Sequence, residues 1–393
     1  MLKKILLNII SLLFKPFPRD NHLWVTGKIV SWEYDNAPPA FFDNSKYFFL
    51  YLVNHTDEKV YWLSSSECEI EMLRKMNLPV VRFPSIRGIW LILRARFSFH
   101  HYGPDQLNHI LQRGSIQLDF WHGTPMKKIR YDIVPKEEKK SNPLIEWQKK
   151  EGREYISSTS RFLSEKVLMH AFDVPHEDML ELGYPRLDVL GLSEEDNWRF
   201  CNKYSKNLLP YIEKAKKYHN VLLYMPTYRD DDPDYIEKAG IDYNKLSLKL
   251  KEIDGIIFFK LHPLTRNIEL EEYDNIIQIE NDVDIYPFLT YTNYLITDYS
   301  SILFDYLVTD REMIFIPYDY DNYVKHRELY FDYDDITPGI KYRSFADFID
   351  NIYELASLDY KKERKRIREM MITEYDFNAC ERIYQFVQNN YYN

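Results

Sequence analysis

The sequence predicts an α/β protein of two Rossmann-like domains facing one another across a cleft. Three observations carry this. From Leu23 onward, short apolar runs alternate with longer polar or helical stretches. Several of those runs end directly in a polar turn. At 393 residues the chain is long enough for two separate cores.

In the first half, strands are expected at Leu23–Thr26, Phe48–Val53, Val60–Leu63, Val80–Phe83, Phe97–Tyr102 and Ile116–Phe120, with a helix over Ile86–Arg96. The stretch Lys136–Lys150 is rich in Lys and Glu, contains Pro143, and reads as a boundary or loop. Beyond it, strands are expected at Tyr155–Ser158, Met179–Leu182, Val221–Met225, Ile256–Lys260, Ile276–Ile279, Tyr294–Thr297 and Met313–Ile316. Helices are expected at Arg161–Phe172 and Ser301–Thr309, then a basic helix over Lys361–Met371 and a last one ending near Asn389. The expected division is 1–18, 19–150 and 151–393.

Composition narrows the function. A 45% hydrophobic and 28% charged chain is an ordinary globular one. A net charge of −10 argues against a general nucleic-acid binder, while leaving room for a local basic site for phosphates. Cys68, Cys201 and Cys380 are odd in number and far apart, which fits a reducing compartment and no structural zinc.

Residues 2–14, LKKILLNIISLLF, are too few to span a bilayer as a helix. Lys15, Pro16 and Arg19 follow in place of a small-residue cleavage site, so a secretory signal is not indicated. On a helix, Lys4, Asn8, Ser11 and Lys15 form one polar stripe with Leu and Ile around it. That is how a helix lying in the membrane interface is built. The alternative is a first helix packed on its domain.

In open parallel sheets, ligands bind beyond the carboxyl ends of the strands, so the residues after each strand are the candidates. Asp119-Phe120-Trp121-His122-Gly123-Thr124-Pro125 presents His122 at a strand end, where a histidine can take a proton near neutral pH. Lys127, Lys128 and Arg130 follow and could meet phosphates. Phe258-Phe259-Lys260-Leu261-His262-Pro263 repeats the strand-end histidine, with Lys260 as a fixed charge. For each histidine the alternative is a hydrogen-bonded turn residue.

Met225-Pro226-Thr227-Tyr228-Arg229-Asp230 offers Arg229 as a bidentate phosphate ligand. The following Asp231, Asp232 and Asp234 read as a solvated loop, because nothing nearby completes a metal-ligand set. In Leu295-Ile296-Thr297-Asp298-Tyr299-Ser300-Ser301-Ile302-Leu303-Phe304-Asp305, a strand runs into a helix whose N-terminus suits a diphosphate, with Ser300 and Ser301 as donors. The alternative there is plain N-capping.

Taken in order, His-Gly-Thr-Pro, Gly183-Tyr184-Pro185-Arg186, Pro-Thr-Tyr-Arg, Lys-Leu-His-Pro and Thr-Asp-Tyr-Ser-Ser-Ile-Leu-Phe-Asp resemble the motif series of CDP-glycerol glycerophosphotransferases. These build teichoic acids and related capsule polymers. The trailing Ile316-Pro317-Tyr318-Asp319-Tyr320-Asp321-Asn322-Tyr323 is similar to that family too, and the resemblance runs from about Gly27 to about Asp332.

The resemblance implies a GT-B-type fold, with residues 19–150 as acceptor domain and 151–393 as CDP-polyol donor domain. It implies no cofactor and no essential metal. His122 would be the catalytic base, Gly123, Thr124 and Pro125 would shape the pocket, and His262 and Lys260 would contact the donor diphosphate. Arg186, Pro226, Thr227, Ser300, Ser301 and Asp305 would complete the donor site. Without the long N-terminal extension of the large polymerases, the sequence is expected to resemble the shorter, primase-like members.

The partners so implied are CDP-glycerol or CDP-ribitol and a lipid-linked saccharide or polyol-phosphate acceptor. The expected location is peripheral, at the cytoplasmic face of the cell membrane, with no nucleic acid bound. The competing readings are a ribitol-phosphate transferase, a GT-B sugar-nucleotide glycosyltransferase, in which Asp305 or Glu328 would face a ribose, and a non-catalytic membrane scaffold.

Overall fold

The computed structural model describes residues 14, 16–28, 41–108, 110–133, 154–229, 232, 234–262, 265, 270 and 273–392. The expected interfacial helix at 2–15, the stretch 136–150, and Asp230 and Asp231 lie outside the described residues.

The chain divides into two compact units. Unit 1 takes residues up to Gly123, Arg130–Gly191 and Thr373 onward; unit 2 takes Thr124–Ile129 and Leu192–Ile372. The composition-based division at residue 150 differs from this. The polar stretch it rests on falls between two neighbouring strands of one sheet, and the last helix returns to unit 1.

Unit 1 is built on β1 (Asp20–Lys28), β2 (Lys59–Ser64), β3 (Val80–Arg82), β4 (Ala95–His100), β5 (Ile116–Asp119), β6 (Glu154–Ser157) and β7 (Met179–Leu180). All pairs are parallel, in the order β3-β2-β1-β4-β5-β6-β7. Unit 2 is built on β8 (Asn220–Tyr224), β9 (Gly255–Lys260), β10 (Ile276–Ile279), β11 (Tyr294–Thr297), β12 (Glu312–Phe315) and β13 (Ile340–Lys341). These are also all parallel, in the order β10-β9-β8-β11-β12-β13. Each sheet therefore reverses its winding once, between β1 and β4 and between β8 and β11, and that switch is where Rossmann-like sheets leave a crevice for ligands. Strands such as β9, Gly-Ile-Ile-Phe-Phe-Lys, are buried at every residue, as expected of parallel strands covered on both faces.

One expected strand is a helix. Phe48–Val53 lies inside α1 (Asp43–His55). A six-residue apolar run does not distinguish a buried strand from a buried helix by period alone. Phe48 packs on Trp24, Phe99 and Phe120, and Phe49 packs on Trp62, so the run is core on more than one side. The expected helix at Ile86–Arg96 forms as α2 (Ile86–Arg94), and β4 begins at Ala95. The expected helix at Arg161–Phe172 contains a π-turn over Ser164–Leu168.

The last helix, α3 (Ala379–Tyr391), belongs to unit 1. Asp188 accepts hydrogen bonds from the Ala379 and Cys380 N–H groups at 2.8 Å each, satisfying orphan donors of its first turn. Trp24 Nε1 donates to the Tyr392 hydroxyl just beyond its end at 3.2 Å.

Candidate active site

In unit 1 the site is built around the turn after β5. The Phe120 N–H donates to the His100 carbonyl at 2.8 Å, and Asp119 Oδ1 accepts the Trp121 N–H at 2.8 Å. Trp121 and Gly123 take left-handed φ values of 51° and 125°. The turn leaves His122 exposed while its neighbours are buried. Its ring lies against Trp121 (3.9 Å between centroids) and Tyr102 (5.4 Å).

His122 Nδ1 is 3.3 Å from the His101 carbonyl oxygen. A carbonyl can only accept, so this contact places the proton on Nδ1 and leaves Nε2 with its lone pair. Nε2 has no hydrogen-bond partner among the described residues. The His122 pKa lies below the usual imidazole value. Desolvation by its neighbours is the largest cause and Arg186 adds to it, against the opposing pull of Asp43, the His101 carbonyl and Asp119.

Three consecutive residues at the start of α1 hold this turn in place. Asp43 pairs with Arg186 (Oδ1 to Nη1, 2.7 Å), and both side chains are nearly inaccessible. Asn44 donates to the Trp121 carbonyl at 2.9 Å and accepts the Arg186 N–H at 3.1 Å. The Ser45 hydroxyl is 2.7 Å from His101 Nδ1. Burial alone would raise the Asp43 pKa, but Arg186, both histidines and the Asn44 N–H outweigh it and hold the carboxylate below its usual range. Asp43 also carries a left-handed φ of 61°, a strained conformation for a buried non-glycine residue.

Gly123 is dictated by the same packing. A Cβ there would sit 2.4 Å from Arg186 Nη2. Beneath the turn, His100 and Asp119 are fully buried with Nδ1 and Oδ1 3.5 Å apart. Among the described residues, neither ring nitrogen of His100 has a hydrogen-bond partner, nor do His101 Nε2 and Asp119 Oδ2. Burial pushes the His101 pKa down to about 4, so that ring is neutral near pH 7. Arg130 stacks its guanidinium on Trp121 (4.9 Å) and Phe172 (4.4 Å).

In unit 2, the turns after β8 and β11 meet at the switch point through a residue the sequence reading did not single out. Asp298 is buried and accepts the Thr227 N–H at 2.8 Å and Arg229 Nη2 at 2.8 Å. Arg229 is also bidentate to Asp319, at 2.9 and 3.0 Å, and donates Nη1 to the Thr227 carbonyl at 2.6 Å. Tyr299 and Tyr323 lie 5.1 and 4.9 Å from its guanidinium carbon. The expected phosphate-binding fork of Arg229 is thus spent on two carboxylates of its own unit, because two acids in a dry setting demand a full complement of donors. Pro226 is buried beside it, and the buried Thr227 hydroxyl has no partner among the described residues.

Ser300 and Ser301 are half-buried ahead of the five-residue helix Ile302–Tyr306. Ser301, at the N-cap position, makes no capping hydrogen bond, and neither hydroxyl has a partner among the described residues. Plain N-capping is therefore not what these serines do. Asp305 is buried and accepts the Tyr286 hydroxyl at 2.7 Å.

After β9, His262 is exposed and stacks on Tyr228 (4.6 Å, 26° between planes). Lys260 is buried, with Nζ donating to the Asn281 carbonyl at 2.7 Å. Burial lowers its pKa to about 8, against the opposing pull of Asp284 and Asp282. Thr124 and Pro125 are buried parts of unit 2, in a segment whose Lys128 N–H donates to the Glu328 carbonyl at 2.9 Å. Lys128 and Glu328 also form an ion pair. Asp232 pairs with Lys238 at 2.6 Å, and no cluster of three metal-ligating side chains occurs among the described residues.

The structure thus brings His122, Gly123 and Arg186 together in unit 1, and Pro226, Thr227 and Arg229 around Asp298 in unit 2. Arg186, expected among the donor ligands, is held beside the His122 turn. Asp43, Asn44 and Asp298 are the additions.

The chain is similar to known proteins along most of its length. A teichoic acid glycerol-phosphate transferase of Staphylococcus aureus is 28% identical over 358 residues, covering 88% of this chain and 89% of that protein. The teichoic acid poly(glycerol phosphate) polymerase of Bacillus subtilis is 27% identical over 325 residues, and the match covers 78% of this chain but only 41% of the polymerase. The solved structure of the wall teichoic acid polymerase TagF shares the fold, with a TM-score of 0.74 at 22% identity over 100% of this chain and 96% of that one. The family described as CDP-glycerol:poly(glycerophosphate) glycerophosphotransferase matches residues 19–389. The chain belongs to that family and is an enzyme of its class.

Proposed function

We propose that the protein transfers glycerol phosphate from CDP-glycerol to a hydroxyl of a lipid-linked acceptor, releasing CMP, in teichoic acid or capsule polymer synthesis. The observation that carries this reading is His122, exposed at a strand end, its Nδ1 proton engaged by the His101 carbonyl and its Nε2 unprotonated. The acceptor oxygen attacks the phosphorus that bears glycerol, the bond from that phosphorus to the bridging oxygen breaks, and CMP leaves with that oxygen. The acceptor proton passes to His122 Nε2. Such a base contributes about two to four orders of magnitude in rate.

The remainder is positioning and charge neutralisation. His262, Lys260 and the unpartnered hydroxyls of Ser300, Ser301 and Thr227 are the donor-side groups of this reading, with Pro226 and Asp305 framing them. Gly123, Thr124 and Pro125 shape the turn. Arg229 serves by shaping the Pro226–Thr227 turn, not by touching phosphate. In this reading the metal-free neutralisation falls to side chains. The wall teichoic acid polymerase has been solved after soaking with CDPG, which supports the choice of donor.

The acceptor is placed at the cytoplasmic face of a membrane, where the protein sits peripherally. Among the described residues no helix is long and apolar enough to cross a bilayer.

The test is donor screening. Purified protein with a lipid-linked disaccharide is given CDP-glycerol, CDP-ribitol or UDP-sugars, and products are weighed. Addition of glycerol phosphate with stoichiometric CMP is expected. Transfer of a sugar, or of ribitol phosphate alone, overturns the reading.

A further inference from the structure

The switch point of unit 1 carries two side chains that the proposed chemistry leaves unused. β1 ends in Lys28, and His101 and Tyr102 open the turn after β4. One buried amide ties these strand ends together. Gln106 Oε1 accepts the His101 N–H at 2.9 Å and the Tyr102 N–H at 3.0 Å, and its Nε2 donates to the Gly27 carbonyl at 2.8 Å. Gln106 is 6% exposed, so these bonds form away from water, where an unmade one is costly. The same turn supplies the His101 carbonyl that engages His122 Nδ1. The amide thus holds Lys28, Tyr102 and the proposed base in one constellation.

Tyr102 is built as a platform. Its ring is flanked by His101 (4.5 Å between centroids), His122 (5.4 Å) and Phe42 (6.4 Å, 77° between planes), yet Tyr102 remains 44% exposed. A tyrosine ring fixed by its neighbours and open on one side offers contact area at little cost in conformational entropy. Lys28 Nζ lies 5.5 Å from the centre of that ring and has no ion-pair partner among the described residues. The two carboxylates of the His122 turn are engaged elsewhere, Asp43 by Arg186 and Asp119 by His100 and the Trp121 N–H. In a chain of net charge −10, an uncommitted lysine at the carboxyl end of a switch-point strand is suited to an anion. The donor-side groups named above belong to unit 2, so this cation falls to the other substrate.

We propose that Tyr102 and Lys28 form an acceptor subsite. Tyr102 carries the saccharide or polyol unit whose hydroxyl meets His122 Nε2, and Lys28 pairs with an acceptor phosphate close behind that hydroxyl. This rests on the reading that His122 activates a hydroxyl of a lipid-linked acceptor. The phosphate belongs either to a polyol-phosphate unit already on the acceptor or to the lipid diphosphate.

The test is steady-state transfer by the full chain and by Lys28→Met, Lys28→Arg, Tyr102→Ala and Tyr102→Phe, with melting curves to report the fold. The acceptors are a phosphate-free alkyl disaccharide, the same compound ending in glycerol phosphate, and a disaccharide on a lipid diphosphate. Lys28→Met should raise the acceptor KM at least about tenfold where the acceptor bears the phosphate that Lys28 reads, and leave the phosphate-free acceptor within about twofold. Its kcat and its KM for CDP-glycerol should not change. Lys28→Arg should restore most of the loss, because the charge is kept. Tyr102→Ala should raise KM about tenfold for every acceptor, and Tyr102→Phe, which keeps the ring, should not.

A Lys28→Met loss confined to the glycerol phosphate acceptor assigns the phosphate to the polymer end; one confined to the lipid-linked acceptor assigns it to the carrier. Equal loss on the phosphate-free acceptor, or no loss on any, overturns the role of Lys28. A rise in the KM for CDP-glycerol in place of the acceptor moves the pair to the donor and overturns the subsite. Lower melting and kcat in Tyr102→Ala at an unchanged acceptor KM would reduce that ring to packing. Wild-type protein that transfers nothing from CDP-glycerol would instead sink the proposed function itself.

Discussion

Asp43 and Arg186 form a buried ion pair at 2.7 Å that joins the start of α1 to the segment Pro185–Gly191, and Arg186 packs against Gly123 in the turn carrying His122. Their side chains are only 11% and 3% exposed, so removing one partner strands a charge away from water. Asp43→Asn should destabilise the protein by about 3–5 kcal/mol. The pH dependence has a definite sign. Because the folded pKa of Asp43 is depressed, the pair's contribution is complete above the unfolded value of about 3.9 and is lost as pH falls through the lower folded value. The stability gap between wild type and Asp43→Asn, measured by denaturant titration, should therefore be constant at neutral pH and close in strong acid. A gap that widens in acid contradicts the assignment.

Gly123→Ala tests the other side of the same contact. The new methyl would meet Arg186 Nη2 at 2.4 Å, at a φ of 125° that non-glycine residues rarely adopt. A free arginine would swing aside, but this one is pinned by Asp43. The strain should be about 1–3 kcal/mol. Turnover should fall with stability, because the residue displaced is His122. Unchanged melting and turnover would show that the turn relaxes without consequence.

His122→Ala should lower turnover by about two to four orders of magnitude while CDP-glycerol affinity stays within a few fold. The base must be unprotonated to act, and its pKa lies below the ordinary imidazole value. Activity should therefore fall as pH drops, with an inflection below about 6.5. An acid limb centred above that value, or near wild-type turnover in the variant, removes His122 from the role.

Much of this site is legible in the sequence, for a physical reason. In parallel sheets the polar residue after an apolar run stands at the ligand end, so His122, Thr227, His262 and Ser300 can be placed from the pattern alone. The clamp at the start of α1 is not so readily placed. Asp43-Asn44-Ser45 stands ahead of Phe48–Val53, the run expected as a strand, although Asp, Asn and Ser ahead of an apolar run are residues that open helices. That signal was present. Arg229 shows the opposite limit: its partners Asp298 and Asp319 lie 69 and 90 positions away, and no local pattern reveals that they occupy its guanidinium.

That occupancy makes Arg229 separable from donor binding. Arg229→Lys keeps the charge but loses the planar fork that serves Asp319 bidentately and Asp298 at once. A loss of about 3 kcal/mol is expected from the broken buried pairing. For a unit of this size that is a drop of about 6–12 °C in melting temperature. Donor affinity should follow only through the displaced Pro226–Thr227 turn. A variant that melts like wild type yet loses donor binding sharply would return Arg229 to the phosphate.

Lys260 makes the donor side pH-dependent. Its ammonium is buried, donates to the Asn281 carbonyl at 2.7 Å, and has its pKa lowered to about 8, chiefly by desolvation. If it neutralises the donor diphosphate, affinity for CDP-glycerol should be flat at neutral pH and decline as pH rises through about 8, where the free enzyme loses that charge. Lys260→Met should bind more weakly at neutral pH and show no such decline. Stability runs the other way. A lysine titrating lower in the fold than its unfolded value of about 10.4 releases its proton on folding, so wild type gains stability relative to Lys260→Met as pH rises between the two values. Calorimetry and melting curves on the same pair of proteins separate these trends. A donor affinity that declines identically in both proteins would place the titrating group elsewhere.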